Sequence, residues 1–162
     1  MSKLYTAAES VEAIAQQAIP MFHPHLATAR VAYIFVDKAS TKNGRPVLGK
    51  VRKVTGILEF MLDKDFLVEI PLDQWNQLAD TQRQALVDHL LERCYGEENE
   101  ENGEMKWSTR EPDVQEFSTI LRRHGAWNNE LAGFVSVAKT VNVDEMVADA
   151  VSETADETVS TV

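Results

Sequence analysis

The amino-acid sequence predicts an α+β fold: an N-terminal helix, a small, mostly antiparallel sheet of about three strands, then a helical half. Three observations carry this. Residues 31–37 (VAYIFVD) and 66–70 (FLVEI) are short β-branched and aromatic runs bounded by turn residues. Residues 80–94 and 111–125 show helical spacing of apolar side chains, with start and stop residues at their ends. A chain of 162 residues, 44% hydrophobic and 26% charged, is long enough to bury a core without disulfide staples.

Taken in order, residues 7–19 form an amphipathic helix, with Val11, Ile14, Ala15 and Ala18 at helical spacing and Pro20 as its stop. Pro24 keeps the next segment in a turn. After the strand at 31–37, Asn43-Gly44 signals a hairpin, since both residues tolerate positive φ. A second strand is expected over 51–61, kinked at Gly56, and a third over 66–70, ended by Pro71. Residues 71–78 make a short turn of helix. In 80–94, Asp80 is placed to cap and Gly96 to stop the helix, and Leu86, Leu90 and Cys94 beside Val87, Leu91 and Tyr95 make it apolar over much of its circumference. Pro112 opens the helix at 111–125, Arg122 and Arg123 suit its C-terminal end and Gly125 stops it. A third helix covers 129–140. Residues 1–140 are expected to be one domain, followed by a partly disordered acidic tail at 141–162.

Composition narrows the function. The net charge of −10 is unevenly placed: residues 1–95 hold 11 basic and 11 acidic side chains, and residues 96–162 hold 5 and 15. The excess sits in the loop at 97–104 and in the tail. Bulk charge of this sign disfavours nucleic acid, so no direct nucleic-acid binding is expected. No apolar run approaches the ~20 residues of a membrane span, and no membrane association is expected. One cysteine, Cys94, fits a reducing compartment, and the first residues lack a signal-peptide pattern; a cytoplasmic location is the expectation. Lys38, Lys42, Arg45, Lys50, Arg52 and Lys53 follow one another without an intervening carboxylate, and read as a solvated hairpin edge. His23 and His25 flank Pro24 and read as incidental; Cys94, on the apolar stripe, reads as an inert buried thiol. Trp75, Trp107 and Trp127 read as core or rim packing.

Four stretches carry a resemblance: AYIFVDKASTKNGRPVLGKVRKV (32–54), DFLVEIPLDQWNQL (65–78), RQALVDHLLERC (83–94) and EPDVQEFSTILRRHGAW (111–127). Together they resemble the putative phage metallopeptidase family, over about residues 31 to 137. The most specific parts are Asp65-Phe66, the Ala-Leu-x-Asp-His run ending at His89, and Asp-Val-x-Glu-Phe with Arg-His-Gly-x-Trp at 113–127. The resemblance implies a minimal zincin-like core, a phage origin, and a location in the host cell cytoplasm. It also implies a His-Glu-x-x-His motif, in which two imidazoles at i and i+4 reach one zinc ion and the glutamate serves as general base.

In this sequence the motif is degenerate. His89 matches the first histidine, but Leu90 stands at the general base and Arg93 at the second histidine. Leucine accepts no proton, and a permanently charged guanidinium repels a metal cation. No catalytic residue is therefore assigned. A rebuilt site would use His89, Glu92 and Glu116, with Asp113 and His124 nearby; one imidazole and two carboxylates lean toward Mn²⁺, Fe²⁺ or weakly held Zn²⁺. The plainer expectation is no bound cofactor, with Arg93 paired to Glu116 or Asp113. Three functions follow: a catalytically degenerate member that binds a host or phage protein through the acidic loop 97–104 and the tail; a divergent metal-dependent peptidase or hydrolase; and an acidic DNA mimic that inhibits a DNA-binding protein.

Overall fold

A computed structural model describes residues 2–141; the tail expected to follow lies, but for its first residue, outside the described residues. The chain forms two compact units, Met1–Arg110 and Glu111–Val162. In the first, β1 (Tyr5–Ala7) leads into α1 (Glu9–Phe22), and a 3-10 turn at Pro24–Leu26 feeds β2 (Val31–Val36). A small ribbon of β3 (Thr41–Lys42) and β4 (Arg45–Pro46) precedes β5 (Lys50–Lys53), α2 (Ile57–Leu62) and β6 (Phe66–Pro71). Then come α3 (Leu72–Trp75), α4 (Asp80–Glu92) and a second ribbon, β7 (Cys94–Glu98) with β8 (Met105–Thr109). The second unit contains α5 (Ser118–His124) and α6 (Asn129–Thr140).

The fold is α+β, and its main sheet runs β1-β2-β6-β5. The outer pairings are antiparallel, while β2 and β6 run parallel, from Val31 opposite Phe66 to Val36 opposite Pro71. A parallel pair needs a long crossover, supplied by the ribbon, β5 and α2. The core joins Val11, Ala15 and Ala18 of α1 with Phe66, Val68 and Ile70 of β6 and Val87, Leu90 and Leu91 of α4. Trp75 stacks at a tilt on Phe35, with centroids 5.8 Å apart, and Trp107 meets Phe66 edge-on at 5.7 Å.

Local signals explain most elements. Asn43 and Gly44 both take positive φ, at 52° and 74°, and turn the first ribbon. Asn128 caps α6, its Oδ1 accepting the Leu131 N–H at 2.8 Å. Elsewhere the fold departs from expectation. Helix α1 runs past Pro20 to Phe22, because a proline in the last turn forfeits only its own N–H bond; His23 still donates to the Ile19 carbonyl at 2.9 Å. The strand expected at 51–61 stops at Lys53, and residues 57–62 are helical, because Gly56 at φ 61° turns the chain and Asp63 at φ 52° ends the helix. Asp80 is not the cap of α4; that position is Ala79, whose N–H donates to Gln82 Oε1 at 3.0 Å.

Helix α4 ends at Glu92, before Gly96, and the acidic loop proves to be the tip of the β7–β8 ribbon. Gly96 sits opposite Trp107, where a Cβ would lie 2.4 Å from the indole, so only glycine lets the ribbon close there. The helix expected at 111–125 is confined to α5, because the Glu116 carboxylate takes the Phe117 N–H at 2.7 Å and Phe117 is extended. Among the described residues no helix is long and apolar enough to cross a membrane.

One buried carboxylate locks the start of the parallel pair. Asp65 accepts the Arg30 backbone N–H at 2.8 Å and the Arg30 guanidinium through Nε at 3.2 Å and Nη2 at 2.8 Å. Burial raises the affinity of Asp65 for a proton, but the hydrogen bonds and charge of Arg30 outweigh it, and its pKa falls below the usual carboxylate value. A depressed folded pKa contributes stability above the unfolded value of ~3.9, lost as pH falls through the folded one. Asp65→Asn is therefore expected to destabilise the fold by about 1–3 kcal/mol at pH 7, with the gap to wild type closing as the pH drops below ~4, read from denaturant melts across pH.

Candidate functional site

Helix α4 presents three kinds of position. Val87, Leu90, Leu91 and, just beyond the helix, Cys94 form its buried stripe. Leu90, where the resemblance to the motif would place a glutamate, is only 2% exposed. It lies so close to Gly49 that a Cβ there would sit 2.7 Å from Leu90 Cδ1. This position therefore belongs to the core. The thiol of Cys94 lies 3.7 Å from the Leu90 carbonyl, and burial pushes its pKa to about 12.

The second kind faces a histidine that sequence reasoning set aside. His23, 1% exposed, lies between α1 and α4. Its Nε2 is 2.6 Å from Asp88 Oδ1, and its Nδ1 is 3.4 Å from Glu92 Oε2. Glu92 also receives the Arg110 guanidinium: Nη2 pairs with Oε1, and Nε donates to the Glu92 carbonyl at 3.1 Å. Asp88 and Glu92 are four residues apart and so share a face. His25 adds a further tie, with Nε2 3.3 Å from the Cys94 carbonyl. The sequence signal for this cluster is the i, i+4 carboxylate pair beside the apolar stripe, but its partner lies 65 residues away at His23.

The third kind lines a groove. His89 is exposed at the rim of a depression of about 440 Å³, together with Leu48, Gly49, Leu78, Gln82, Ala85, Leu86 and Leu90. Gln82 is its one other polar side chain, and neither Asp88 nor Glu92 lines it. Arg93 is half-buried at the end of α4, its carbonyl accepting the Arg110 N–H at 2.9 Å.

The remaining candidates belong to the second unit. Glu116 takes the Phe117 N–H and, at 3.1 Å, the indole N–H of Trp127. Asp113 is exposed in the irregular segment before α5, and His124 is exposed as the last residue of that helix. Among the described residues, no group of three or more His, Cys, Asp or Glu side chains is gathered to hold a metal ion. The donor set around His89 thus does not fit zinc: its sequence neighbours with carboxylates engage His23, and its groove neighbours are mostly hydrocarbon.

Two expected outcomes separate these roles. His23→Ala lowers stability by about 1–3 kcal/mol, because it removes a buried side chain and its tie to Asp88, whereas His89→Ala, at an exposed position, changes it by less than about 0.5 kcal/mol in the same denaturant titration. Cys94 in the folded protein stays unmodified by a thiol-specific disulfide reagent on the timescale that labels the urea-unfolded chain.

A model of the putative phage metallopeptidase family matches residues 3–150. No curated protein and no solved structure matches the chain. The family match spans both the α4 region and the 111–127 region, and the family's name implies metal use. By this match, the chain belongs to the putative phage metallopeptidase family.

Proposed function

We propose that this chain is a catalytically degenerate member of its family that works by binding a host or phage protein. The observation that carries this reading is the disposition of α4. Where hydrolysis needs a proton acceptor beside His89, a leucine is packed into the core under Gly49. The helix's carboxylates at 88 and 92 face a different histidine. A groove that keeps His89 at its rim and is otherwise walled mostly by hydrocarbon suits an apolar side chain of a partner better than a polarised peptide carbonyl.

The acidic loop supports the same reading. It is the shaped tip of a ribbon: Asn99 donates its N–H to the Glu104 carbonyl at 2.8 Å, and Asn102 Oδ1 takes the Glu104 N–H at 3.0 Å. Glu98, Glu104, Met105 and Trp107 border a depression of about 610 Å³ that also touches Arg30, Glu59 and Asp65. Carboxylates around an aromatic wall complement a lysine or arginine side chain. The partner is accordingly a protein with basic and apolar side chains on one surface.

Elemental analysis and a casein-turnover assay test the loss of catalysis. Protein purified without chelator is expected to carry no stoichiometric metal that depends on His89, and His89→Ala is expected to leave any background proteolysis unchanged. Arg93→His, which puts imidazoles at i and i+4, is expected to raise zinc affinity above that of wild type in a calorimetric titration. A stoichiometric metal and peptide cleavage that both vanish in His89→Ala would overturn the reading.

A further inference from the structure

The second unit is short of a core. Among its described residues only Leu131 is buried, while Phe134 (57% exposed), Val137 (64%) and Val141 stand open on α6 or just after it. Leu131, Phe134, Val135 and Ala138 fall at i, i+3, i+4 and i+7, and with Leu121 of α5 they wall a groove of about 480 Å³. The groove's charged residues are Lys139 and Glu116, and the Glu116 carboxylate already takes the Phe117 N–H and the Trp127 indole N–H. Helices α5 and α6 together hold Arg122, Arg123 and Lys139 against one carboxylate, Glu130. A pair of short helices that buries a single side chain does not hold itself together.

We propose that residues 143–151 of the same chain fill this groove and complete the core of the second unit. Val143, Met146, Val147, Ala150 and Val151 fall at i, i+3, i+4, i+7 and i+8, the period of the stripe that α6 offers. The charged residues of the segment, Asp144, Glu145 and Asp149, are all acidic and answer the excess cations of α5 and α6. Val141 and Asn142 give the link of about two residues that a helical hairpin needs. At helical rise the segment spans about 13 Å, within the ~18 Å of α6. So short a tether holds it at an effective concentration on the order of millimolar, which a separate partner would have to match. The family match runs to residue 150, so it takes in Val143, Met146, Val147 and Ala150 and leaves out the acids Glu153, Asp156 and Glu157. The inference does not rest on the loss of catalysis.

Hydrogen–deuterium exchange of the full chain, read by mass spectrometry, tests it. In wild type the amides of 118–140 are expected to be protected, equally at low and high protein concentration. Val147→Asp is expected to raise their exchange at least about tenfold, while the amides of α4 keep the wild-type rate. Phe134→Ser should act the same way, and the two substitutions together should do no more than either alone, because both remove one contact. A chain ended after Val151 should match the full chain, and one ended after Asn142 should match Val147→Asp. Wild-type exchange in Val147→Asp, or additive effects of the two substitutions, overturns the proposal. So does protection that rises with protein concentration, since the occupant would then be a second copy. Equal exchange of the full chain and the chain ended after Asn142 overturns it as well, and leaves the groove to a separate partner.

Discussion

The packing of one stripe of α4 against the sheet sets the direction of every other side chain on that helix. Val87, Leu90, Leu91 and Cys94 fall at i, i+3, i+4 and i+7, and all are buried. With the stripe held, Asp88 and Glu92 turn toward His23, and Ala85, Leu86 and His89 turn toward the groove. Rotating the helix to expose residue 90 to water would draw a packed leucine out of the core. That costs about 1.5–3 kcal/mol before any gap left behind is counted. Gly49 tightens the constraint, since a Cβ there would lie 2.7 Å from Leu90 Cδ1 and would make the leucine shift.

The same packing bears on chemistry. A glutamate at position 90 would have to be ionised to act as a base, and an ionised carboxylate in this setting lacks water and lacks a partner. Leucine there adds buried apolar surface instead. Leucine at this position accepts no proton, and its burial adds to the core. The neighbouring carboxylates are committed as well: Asp88 completes the buried imidazole of His23, and Glu92 is divided between that ring and Arg110. The polar side chains of the helix thus tie α1 and the β8 end to it.

Elements specified by neighbouring residues were legible in the sequence. The strand beginning at Val31, the turn at Asn43-Gly44 and the helix Asn129–Thr140 carry their β-branched run, positive-φ pair and asparagine cap within a few positions. Elements specified at a distance were not. β1 is three residues long and exists through its pairing with β2. The ribbon after α4 depends on Gly96 meeting Trp107 across the strands, which no reading of 96–104 as an acidic loop reveals. Of the candidate site, positions 89, 90 and 93 were picked out by the resemblance to the motif. The role of His23 was not, because a proline-flanked histidine says nothing about the helix it will lie against.

Helix α2 shows the same principle from the other side. Its residues look like a strand because they are apolar, yet their order, Ile-Leu-Glu-Phe-Met-Leu, has no alternation to lay one face on a core. The reversals at Gly56 and Asp63 lift the segment off the sheet, and the hydrogen bond from Val54 to Asp65 closes the sheet beneath it, so the fold is complete without it. Five exposed large apolar side chains in six residues lower solubility and gain nothing in packing. The strongly negative charge elsewhere in the chain opposes aggregation through that surface. Among the described residues, neither the core nor solubility accounts for this run of apolar side chains.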